Sequence, residues 1–276
     1  MSAQAEIGVI GGSGFYSFLS DASPVAVQTP FGPPSEDPVV GAVGGRTVAF
    51  LPRHGRDHRL PPHQVNYRAN LWALRSLGVR QVLAPCAVGS LRPELGPGTV
   101  VVPDQVVDRT WGRQHTVYDQ TGAVVHVSFA DPFCPVGRRV VTAAGEARGE
   151  TVEDGGTLVV INGPRFSSRA ESQWHAAAGW ALVGMTTMPE AAIARELALC
   201  FTTIALVTDH DSGVEGGEAV THAEVLKVFS RNVERLKGLV ADTIEGLPAS
   251  APGVDAGSDC SCQRSLDGLQ LPFELP

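Results

Sequence analysis

Short apolar runs rich in β-branched residues alternate along the chain with longer stretches in which apolar residues recur at helical spacing. The short runs have the length and composition of buried strands, and the longer stretches have the periodicity of amphipathic helices. Thr221 is the predicted N-cap of the last helix, with Glu224 completing a capping box. The predicted strands cover residues 7–10, 47–51, 81–84, 99–102, 157–161 and 201–207, and the predicted helices cover residues 65–77, 135–149, 168–178, 189–199 and 222–246.

The alternation of strands and helices predicts an α/β fold, a single domain with a mixed central β-sheet flanked by helices on both faces. In such sheets ligands bind at the carboxyl ends of the strands, so the loops after the strands are the first candidates for chemistry. We assign residues 1–246 to this domain. Residues 247–276 form a Pro/Ala/Gly/Ser linker and an apolar tail, which we expect to pack on the core or on a neighbouring subunit.

Composition excludes several classes of protein. With 43% hydrophobic and 18% charged residues in 276, the chain has the composition of a soluble globular protein. Its net charge of −8 argues against a nucleic-acid-binding surface and against binding to acidic membranes. Arg195 and Glu196 interrupt the best candidate for a membrane helix, and the first residues lack the pattern of a secretory signal. We therefore expect a cytoplasmic location.

The five cysteines are scattered, without a CxxC pair or zinc-like spacing. Cys260 and Cys262 form a CxC pair near the end of the chain, either two free thiols or a strained disulfide. Since no histidine or further cysteine lies near them in the sequence, we expect no metal site.

Two motifs that follow predicted strands have the composition of anion sites. Residues 11–14 read GGSG, in which glycines let the backbone approach an anion and Ser13 adds a hydroxyl. A tight turn explains GGSG equally well, because it lacks the third glycine of a dinucleotide fingerprint and the GK[ST] of a P-loop. Residues 52–58 read PRHGRDH, in which Arg53 and His54 offer donors to an oxyanion. The alternative for this segment is a solvated basic loop.

A third motif, TDHD at residues 208–211, places two carboxylates after the apolar run 201–207. Burying ionised carboxylates without partners is costly, so such a pair normally meets a ligand. Asp209 and Asp211 complement adenine, which has a basic ring nitrogen and an exocyclic amino group. The alternative is a surface turn with solvated acids.

These motifs, together with TPFGPPS, VNYRANLWAL, DRT, DPFCP, GPRFSSRAES and MTTMPE, occur in the order seen in 5′-methylthioadenosine phosphorylases. Over residues 7–240 the chain resembles this family, which belongs to the trimeric class of purine nucleoside phosphorylases. The resemblance implies phosphorolysis of 5′-methylthioadenosine to adenine and 5-methylthioribose 1-phosphate. It also implies a homotrimer with active sites at subunit interfaces (a hexamer is the alternative), and inorganic phosphate as co-substrate without a metal or organic cofactor.

The resemblance also implies roles for individual residues. Asp209 donates to purine N7 and Asp211 accepts from the 6-amino group, while phosphate attacks C1′ from the opposite face of the ribose. As a donor, Asp209 requires a pKa raised by burial or by its neighbours. The positions that match phosphate ligands are Ser13, Arg53, His54, Thr186 and the backbone N–H of Ala87, and those that match nucleoside ligands are Phe166, Ser167, Met185, His222 and, lent by the adjoining subunit, His126.

Two positions depart from the pattern of the methylthioadenosine enzymes. Cys86 stands where a threonine hydroxyl near phosphate is usual, so one donor is either lost or replaced by a weak S–H; the alternative is a buried core thiol. His222 stands where a small apolar residue lines the 5′ pocket, and in general purine nucleoside phosphorylases a histidine there binds the 5′-hydroxyl. A broader enzyme acting on adenosine or other 5′-modified adenosines is therefore the alternative, with 5′-methylthioinosine or inosine less favoured. His222 also fits a solvent-facing residue at a helix start.

The choice of purine depends on two positions. Relatives that act on 6-oxopurines have asparagine in place of Asp209 and glutamate in place of Ser167, so this chain is expected to select adenine. A hydrolytic nucleosidase and a non-catalytic nucleoside sensor are the competing classes of function. A hydrolase cleaves without phosphate, and a sensor binds without releasing adenine.

Overall fold

The computed structural model describes residues 5–12, 14–15, 18–214, 221–249 and 260–276. Within these residues the strands form one mixed, eleven-stranded sheet with helices packed on it, so the predicted α/β class is confirmed. The strands are β1 Ile7–Gly11, β2 Ser20–Pro24, β3 Val39–Val43, β4 Arg46–Pro52, β5 Gln81–Ser90, β6 Val100–Val102, β7 Gln105–Arg109, β8 Val152–Asp154, β9 Thr157–Ile161, β10 Leu182–Gly184 and β11 Cys200–His210. The helices are α1 Tyr67–Ser76, α2 Pro135–Ala147, α3 Arg169–Ala177, α4 Thr187–Glu196 and α5 His222–Gly246.

Strand β5 organises the sheet. Its first residues pair in parallel with β1, its last two pair antiparallel with β10, and β11 runs parallel to it along its length. The main path is β2-β3-β4-β1-β5-β10-β9-β7, and β11 connects β5 to β6, which in turn pairs with β8. The ends of β1, β4, β5 and β11 therefore meet at one edge, where a ligand site is expected.

Two apolar layers cover the sheet, and β11 contributes to both. Phe201, Ala205 and Val207 belong to the layer that includes α1 and α4, while Ile204 and Leu206 belong to the layer that includes α2 and α5. Alternate side chains of a strand point to opposite faces, so a strand buried on both faces has a nearly continuous apolar sequence. This is the physical reason that β11 was predictable from composition.

The predicted end of β11 was wrong. The strand continues through the TDHD segment as far as His210, with a register shift between Val207 and Asp209 where it pairs with β5. β5 likewise runs to Ser90, beyond the predicted end at residue 84. Pairing with a long neighbour keeps both segments extended although Pro85 and the polar residues interrupt their apolar patterns.

Strands β2, β3, β7, β8 and β10 were not predicted. β2 reads SDASP and β8 reads VED, and neither sequence has the apolar alternation that marks a strand. At the start of α5 the predicted N-cap is confirmed, because Thr221 Oγ1 accepts a hydrogen bond from Glu224 N at 3.3 Å. In place of the reciprocal backbone bond, the Thr221 hydroxyl donates to the Glu224 carboxylate at 2.5 Å.

The C-terminal tail lies against the chain's own core. Phe273 stacks on Tyr118, with ring centroids 5.3 Å apart, and meets Trp72 edge-on at 5.7 Å. Leu271 and Leu275 pack on the same apolar layer. Among the helices in the described part of the chain, none combines the length and the apolar character that a bilayer crossing requires.

Candidate active site

A cavity of about 310 Å³ opens at the edge where β1, β4, β5 and β11 end. Its walls also include residues from β10, from the loop after β9 and from the first turns of α5. The structure thus brings together residues that the sequence places in distant segments. The predicted site residues that line the cavity are Arg53, His54, Ala87, Phe166, Ser167, Met185, Thr186, Asp209 and Asp211.

Three predicted site residues are not placed in this cavity by the structure. Ser13 lies outside the described residues, although its neighbour Gly12 lines the cavity. His222 is the first residue of α5, but its side chain also lies outside what is described. His126 is exposed on an irregular segment and does not line the cavity of its own chain.

Arg53 follows β4 and is only 2% exposed. Its Nε and Nη2 donate to Glu190 at 2.8 and 3.0 Å, Nη2 also donates to the Ile10 carbonyl at 2.9 Å, and Nη1 donates to the Pro85 carbonyl at 3.2 Å. A guanidinium has five N–H donors, so these bonds leave one, on Nη1, without a partner among the described residues. Burial works to lower the pKa of Arg53, but the charge of Glu190 and its hydrogen bonds outweigh it and raise that pKa. Arg53 is therefore a fixed cation with one donor available to an anion.

His54 is neutral near pH 7, because burial and the charge of Arg53 lower its pKa to about 4. Its Nδ1 lies 2.8 Å from the Leu60 carbonyl, which only accepts, so Nδ1 carries the proton. Nε2 is then the acceptor nitrogen of the ring. A neutral imidazole of this tautomer can accept the P–OH proton of a hydrogen phosphate ion.

Thr186 and Cys86 complete this polar end of the cavity. Thr186 is the residue before α4, and its hydroxyl is not used as a helix cap. Cys86 lines the cavity wall, and burial raises the pKa of its thiol to about 11. Cys86 is thus a neutral thiol whose side chain reaches the cavity. It has the raised pKa of a core thiol, and it can still offer a weak S–H donor to a ligand.

The acid pair lies at the end of β11. β11 ends at His210, between the two aspartates, and both Asp209 and Asp211 have side-chain atoms close to Gly89 of β5. Asp211 is 3% exposed and accepts a hydrogen bond from the Ser172 hydroxyl of α3. The Asp209 carboxylate accepts one from the Thr208 hydroxyl at 2.7 Å.

Burial raises the pKa of Asp209 to about 6; the Thr208 hydrogen bond works against this shift, and the neighbouring charge of Asp211 adds to it. A carboxyl group with a pKa of about 6 holds its proton for roughly a tenth of the time at pH 7, compared with about a thousandth for an ordinary aspartate. The position is therefore suited to a general acid.

Gly89 makes room for the acid pair. A Cβ added there would lie 3.0 Å from Asp209 Oδ1, 3.1 Å from Val183 Cγ1 and 3.4 Å from Asp211 Cβ. Any larger residue on β5 at this point would displace one carboxylate or the wall behind it.

We expect Gly89→Ala to lower kcat/KM for the nucleoside several-fold, because the added Cβ forces its neighbours to move and a misplacement of about 1 Å at reacting groups can cost roughly two orders of magnitude. Thermal unfolding and steady-state kinetics measured together separate this effect from loss of the fold. Gly96→Ala is the matched control, since an added Cβ there meets no atom of the described residues within 4 Å. Wild-type kinetics in the Gly89 variant would contradict the assignment of the pair to the reaction.

Ser167 carries a hydroxyl that has no hydrogen-bond partner in the described part of the chain, although the atom is buried. Buried polar atoms are rarely left unpaired, and Ser167 lines the cavity. A ligand polar group is the natural partner. Phe166 beside it offers an aromatic surface to a base, and Met185 offers a thioether to an irregular apolar gap.

Another part of the wall is apolar and comes from α5. Val225, Leu226 and Phe229 line the cavity at helical spacing. His222 lies three residues before Val225 in the same helix. This wall suits a ligand with an apolar substituent.

Several residues that shape the site had no predicted role. Glu190 neutralises Arg53, Ser172 and Thr208 bind the two aspartates, and Gly89 leaves space for them. Three of these residues lie within motifs noted in the sequence, since TDHD begins with Thr208, MTTMPE ends in Glu190 and GPRFSSRAES ends in Ser172. An acidic residue four positions after Thr186, a predicted phosphate ligand, was the sequence signal that a cationic partner would lie nearby.

Comparison with known proteins agrees with this geometry. Residues 6–245 match the family described as the phosphorylase superfamily. A purine nucleoside phosphorylase from Streptomyces coelicolor is 59% identical, covering 99% of this chain and 98% of that protein. An S-methyl-5′-thioadenosine phosphorylase from Mycolicibacterium smegmatis is 55% identical, covering 98% of this chain and 99% of that protein.

A solved structure supports the same assignment. The methylthioadenosine phosphorylase from an Antarctic soil metagenomic library superposes with a TM-score of 0.83 at 41% identity, covering 88% of this chain and 86% of that one. The family match, the shared fold and a cavity that is lined by both an acid pair and a buried guanidinium are consistent with one another. The chain therefore belongs to the phosphorylase superfamily and is a pentosyltransferase enzyme of that family.

Proposed function

We propose that this enzyme cleaves 5′-methylthioadenosine with inorganic phosphate, forming adenine and 5-methylthioribose 1-phosphate. The observation that carries the proposal is the layout of the cavity along β5. Arg53 bonds to Pro85 at one point of that strand, and Asp209 lies against Gly89 four residues further on. Four residues of extended chain span about 13 Å, enough for phosphate, ribose and purine in sequence.

Each part of the cavity has a matching part of the substrate. The cationic, hydroxyl-bearing end with Arg53, His54 and Thr186 holds phosphate, which is already a competent nucleophile and needs only to be positioned. Asp209 donates to N7 as the glycosidic bond breaks, and Asp211 accepts from the 6-amino group. The sugar passes through an oxocarbenium-like state and phosphate forms the new bond to C1′ directly, without a covalent enzyme intermediate.

The 5′ substituent is assigned from the apolar wall of α5. Val225, Leu226 and Phe229 favour a methylthio group over a hydroxyl group, because burying a hydroxyl without a partner costs free energy. The names of several relatives also support this assignment.

A broader purine nucleoside phosphorylase acting on adenosine is the second candidate. It is favoured by the relative at 59% identity, which is named a purine nucleoside phosphorylase. His222, in the turn before the apolar wall, is the residue whose identity fits a 5′-hydroxyl.

A phosphate-dependent release assay tests both candidates. We expect adenine release from 5′-methylthioadenosine to exceed that from adenosine, with 5′-methylthioinosine and inosine poor substrates and a halogenated 5′-deoxyadenosine accepted. Equal rates on adenosine would favour the broader enzyme. Cleavage without phosphate would show a hydrolase, and binding without release of base would show a sensor.

We also propose a homotrimer in which His126 of each subunit serves the site of its neighbour. Exposure of His126 and its absence from its own cavity support this role. Light scattering is expected to give the mass of three chains, and a monomer would exclude a shared site. A mass of six chains would instead support the hexamer.

A further inference from the structure

Four of the five cysteines, from three distant segments of the sequence, meet at one point in the fold. The sulfur atoms of Cys134, Cys200, Cys260 and Cys262 all lie within 4.8 Å of one another. Cys260 Sγ is 3.5 Å from both Cys134 Sγ and Cys200 Sγ. All four are free thiols, three of them buried and Cys260 half-buried.

This spacing is that of ligands around one centre. Zinc bound by four thiolates has Zn–S distances of about 2.3 Å, which places the sulfur atoms about 3.8 Å apart in a tetrahedron. A disulfide would instead join the atoms in pairs at about 2 Å and would leave Cys260 bonded to only one of its two near neighbours.

The surroundings supply N–H groups to the sulfur atoms. The backbone N–H of Cys262 donates to Cys260 Sγ at 3.3 Å, and Gln263 Nε2 lies 3.7 Å from Cys200 Sγ. Cys134 is the N-cap residue of α2 and its side chain makes no capping hydrogen bond. The positive end of a helix dipole stabilises a thiolate at that position. Such donors are the usual outer partners of metal-bound sulfur.

We propose that Cys134, Cys200, Cys260 and Cys262 bind one structural zinc ion. Binding converts four thiols and Zn²⁺ into a tetrathiolate complex with a net charge of −2 and releases four protons, with no change in oxidation state. An all-sulfur tetrahedral set selects zinc or iron among the common metals and leaves no open position for catalysis. The sequence spacing argued against a metal because the ligands come from three separate segments.

The ion would fix the tail to the domain. Cys134 lies at the start of α2 and Cys200 begins β11, whereas Cys260 and Cys262 begin the last described segment. Closing these long loops with one ion removes much of the conformational entropy of the unfolded chain. The tail that carries Phe273 onto Tyr118 would then be held at both ends.

Metal analysis of the intact enzyme, produced with zinc and thiol reductant present, tests the proposal. We expect about one zinc per chain, in a four-sulfur shell with Zn–S near 2.3 Å by X-ray absorption. Replacing zinc with Co²⁺ is expected to give the intense visible bands of tetrahedral cobalt thiolate. Chelation is expected to lower the unfolding temperature of the wild-type protein.

Matched variants locate the site. Cys260→Ser and Cys262→Ser are expected to lower the zinc content at least tenfold, while Ser261→Ala, between them and exposed, keeps it. Wild-type protein with four accessible thiols and no zinc or iron would overturn the proposal. Disulfides in protein kept under reductant, detected as an intact mass lower by two hydrogens for each bond, would overturn it as well. Neither result depends on whether the variants fold or on the proposed reaction.

Discussion

We expect Asp209→Asn to lower kcat/KM for 5′-methylthioadenosine by roughly 10²–10⁴, the usual contribution of a positioned general acid. Asparagine keeps the size of the side chain and still offers an N–H to N7, but it has no proton to transfer to the leaving base. The measurement is steady-state release of adenine at saturating phosphate. Inosine is expected to become relatively better as a substrate, since an amide N–H can donate to a 6-oxo group.

The pH dependence of the two proteins identifies the acid. Because the pKa of Asp209 is about 6, its protonated fraction falls as the pH rises above 6, and kcat/KM of the wild type is expected to fall with it. Phosphate ionises in the same range, but that effect is common to both enzymes and cancels in the ratio of their profiles. A ratio that stays constant between pH 5 and 8 would show that Asp209 does not supply the proton.

Asp209→Asn should raise the stability of the protein although it lowers its activity. An acid whose pKa is raised from 3.8 to about 6 on folding is bound to a proton more tightly in the folded state. The wild type therefore loses stability as the pH rises from about 4 to about 6, by roughly 3 kcal/mol, and does not regain it at higher pH. We expect Asp209→Asn to unfold at a higher temperature than the wild type at pH 8, with a smaller difference at pH 5.

Asp211→Asn is the comparison for these experiments. Asp211 accepts a hydrogen bond from the Ser172 hydroxyl and is expected to accept another from the 6-amino group of the base. Its replacement should weaken adenine binding, but kcat/KM should still fall as the pH rises above 6. Two variants with identical pH profiles would contradict the division of roles between the aspartates.

The second large effect is expected at Glu190, which is paired with Arg53 in the interior. Glu190→Gln removes the charge that neutralises a guanidinium only 2% exposed. Breaking a buried pair from one side typically costs 3–5 kcal/mol, because the remaining charge is left without compensation. We expect a loss of roughly that size in the free energy of unfolding, measured by chemical denaturation. Glu36→Gln breaks a surface pair with Arg59, at 3.3 Å, and should cost less than about 1 kcal/mol.

Phosphate supplies a second readout for this variant. If Arg53 lines the anion site, an added anion can take over part of the neutralising role of Glu190. The rise in unfolding temperature on adding phosphate is therefore expected to be larger in Glu190→Gln than in the wild type. An equal or smaller rise would place the phosphate away from Arg53.

Local pattern was enough to predict the main elements of the fold. Residues 201–207 and 7–10 are mostly apolar, as expected of strands buried on both faces, and helix 222–246 has both a periodic apolar face and an N-cap. These signals come from residues close together in the sequence, so each element could be predicted without knowing its partners. The strands that were missed are short or polar and exist because a partner strand supplies their hydrogen bonds. β2 and β8 are examples. No local signal marks such segments.

The amino-acid sequence by itself determined the α/β class and the chemical types in the site: carboxylates, a guanidinium, an imidazole and hydroxyls at the ends of strands. These depend on composition and on spacing within a single element. Only the tertiary structure decided that Arg53 meets Glu190, 137 residues away, and that Gly89 leaves room for Asp209. It alone brought four cysteines from three distant segments within reach of one ion. The physical reason is that these contacts arise when whole helices and strands pack against one another. Contacts between residues far apart in the sequence produce no local pattern from which they could be predicted.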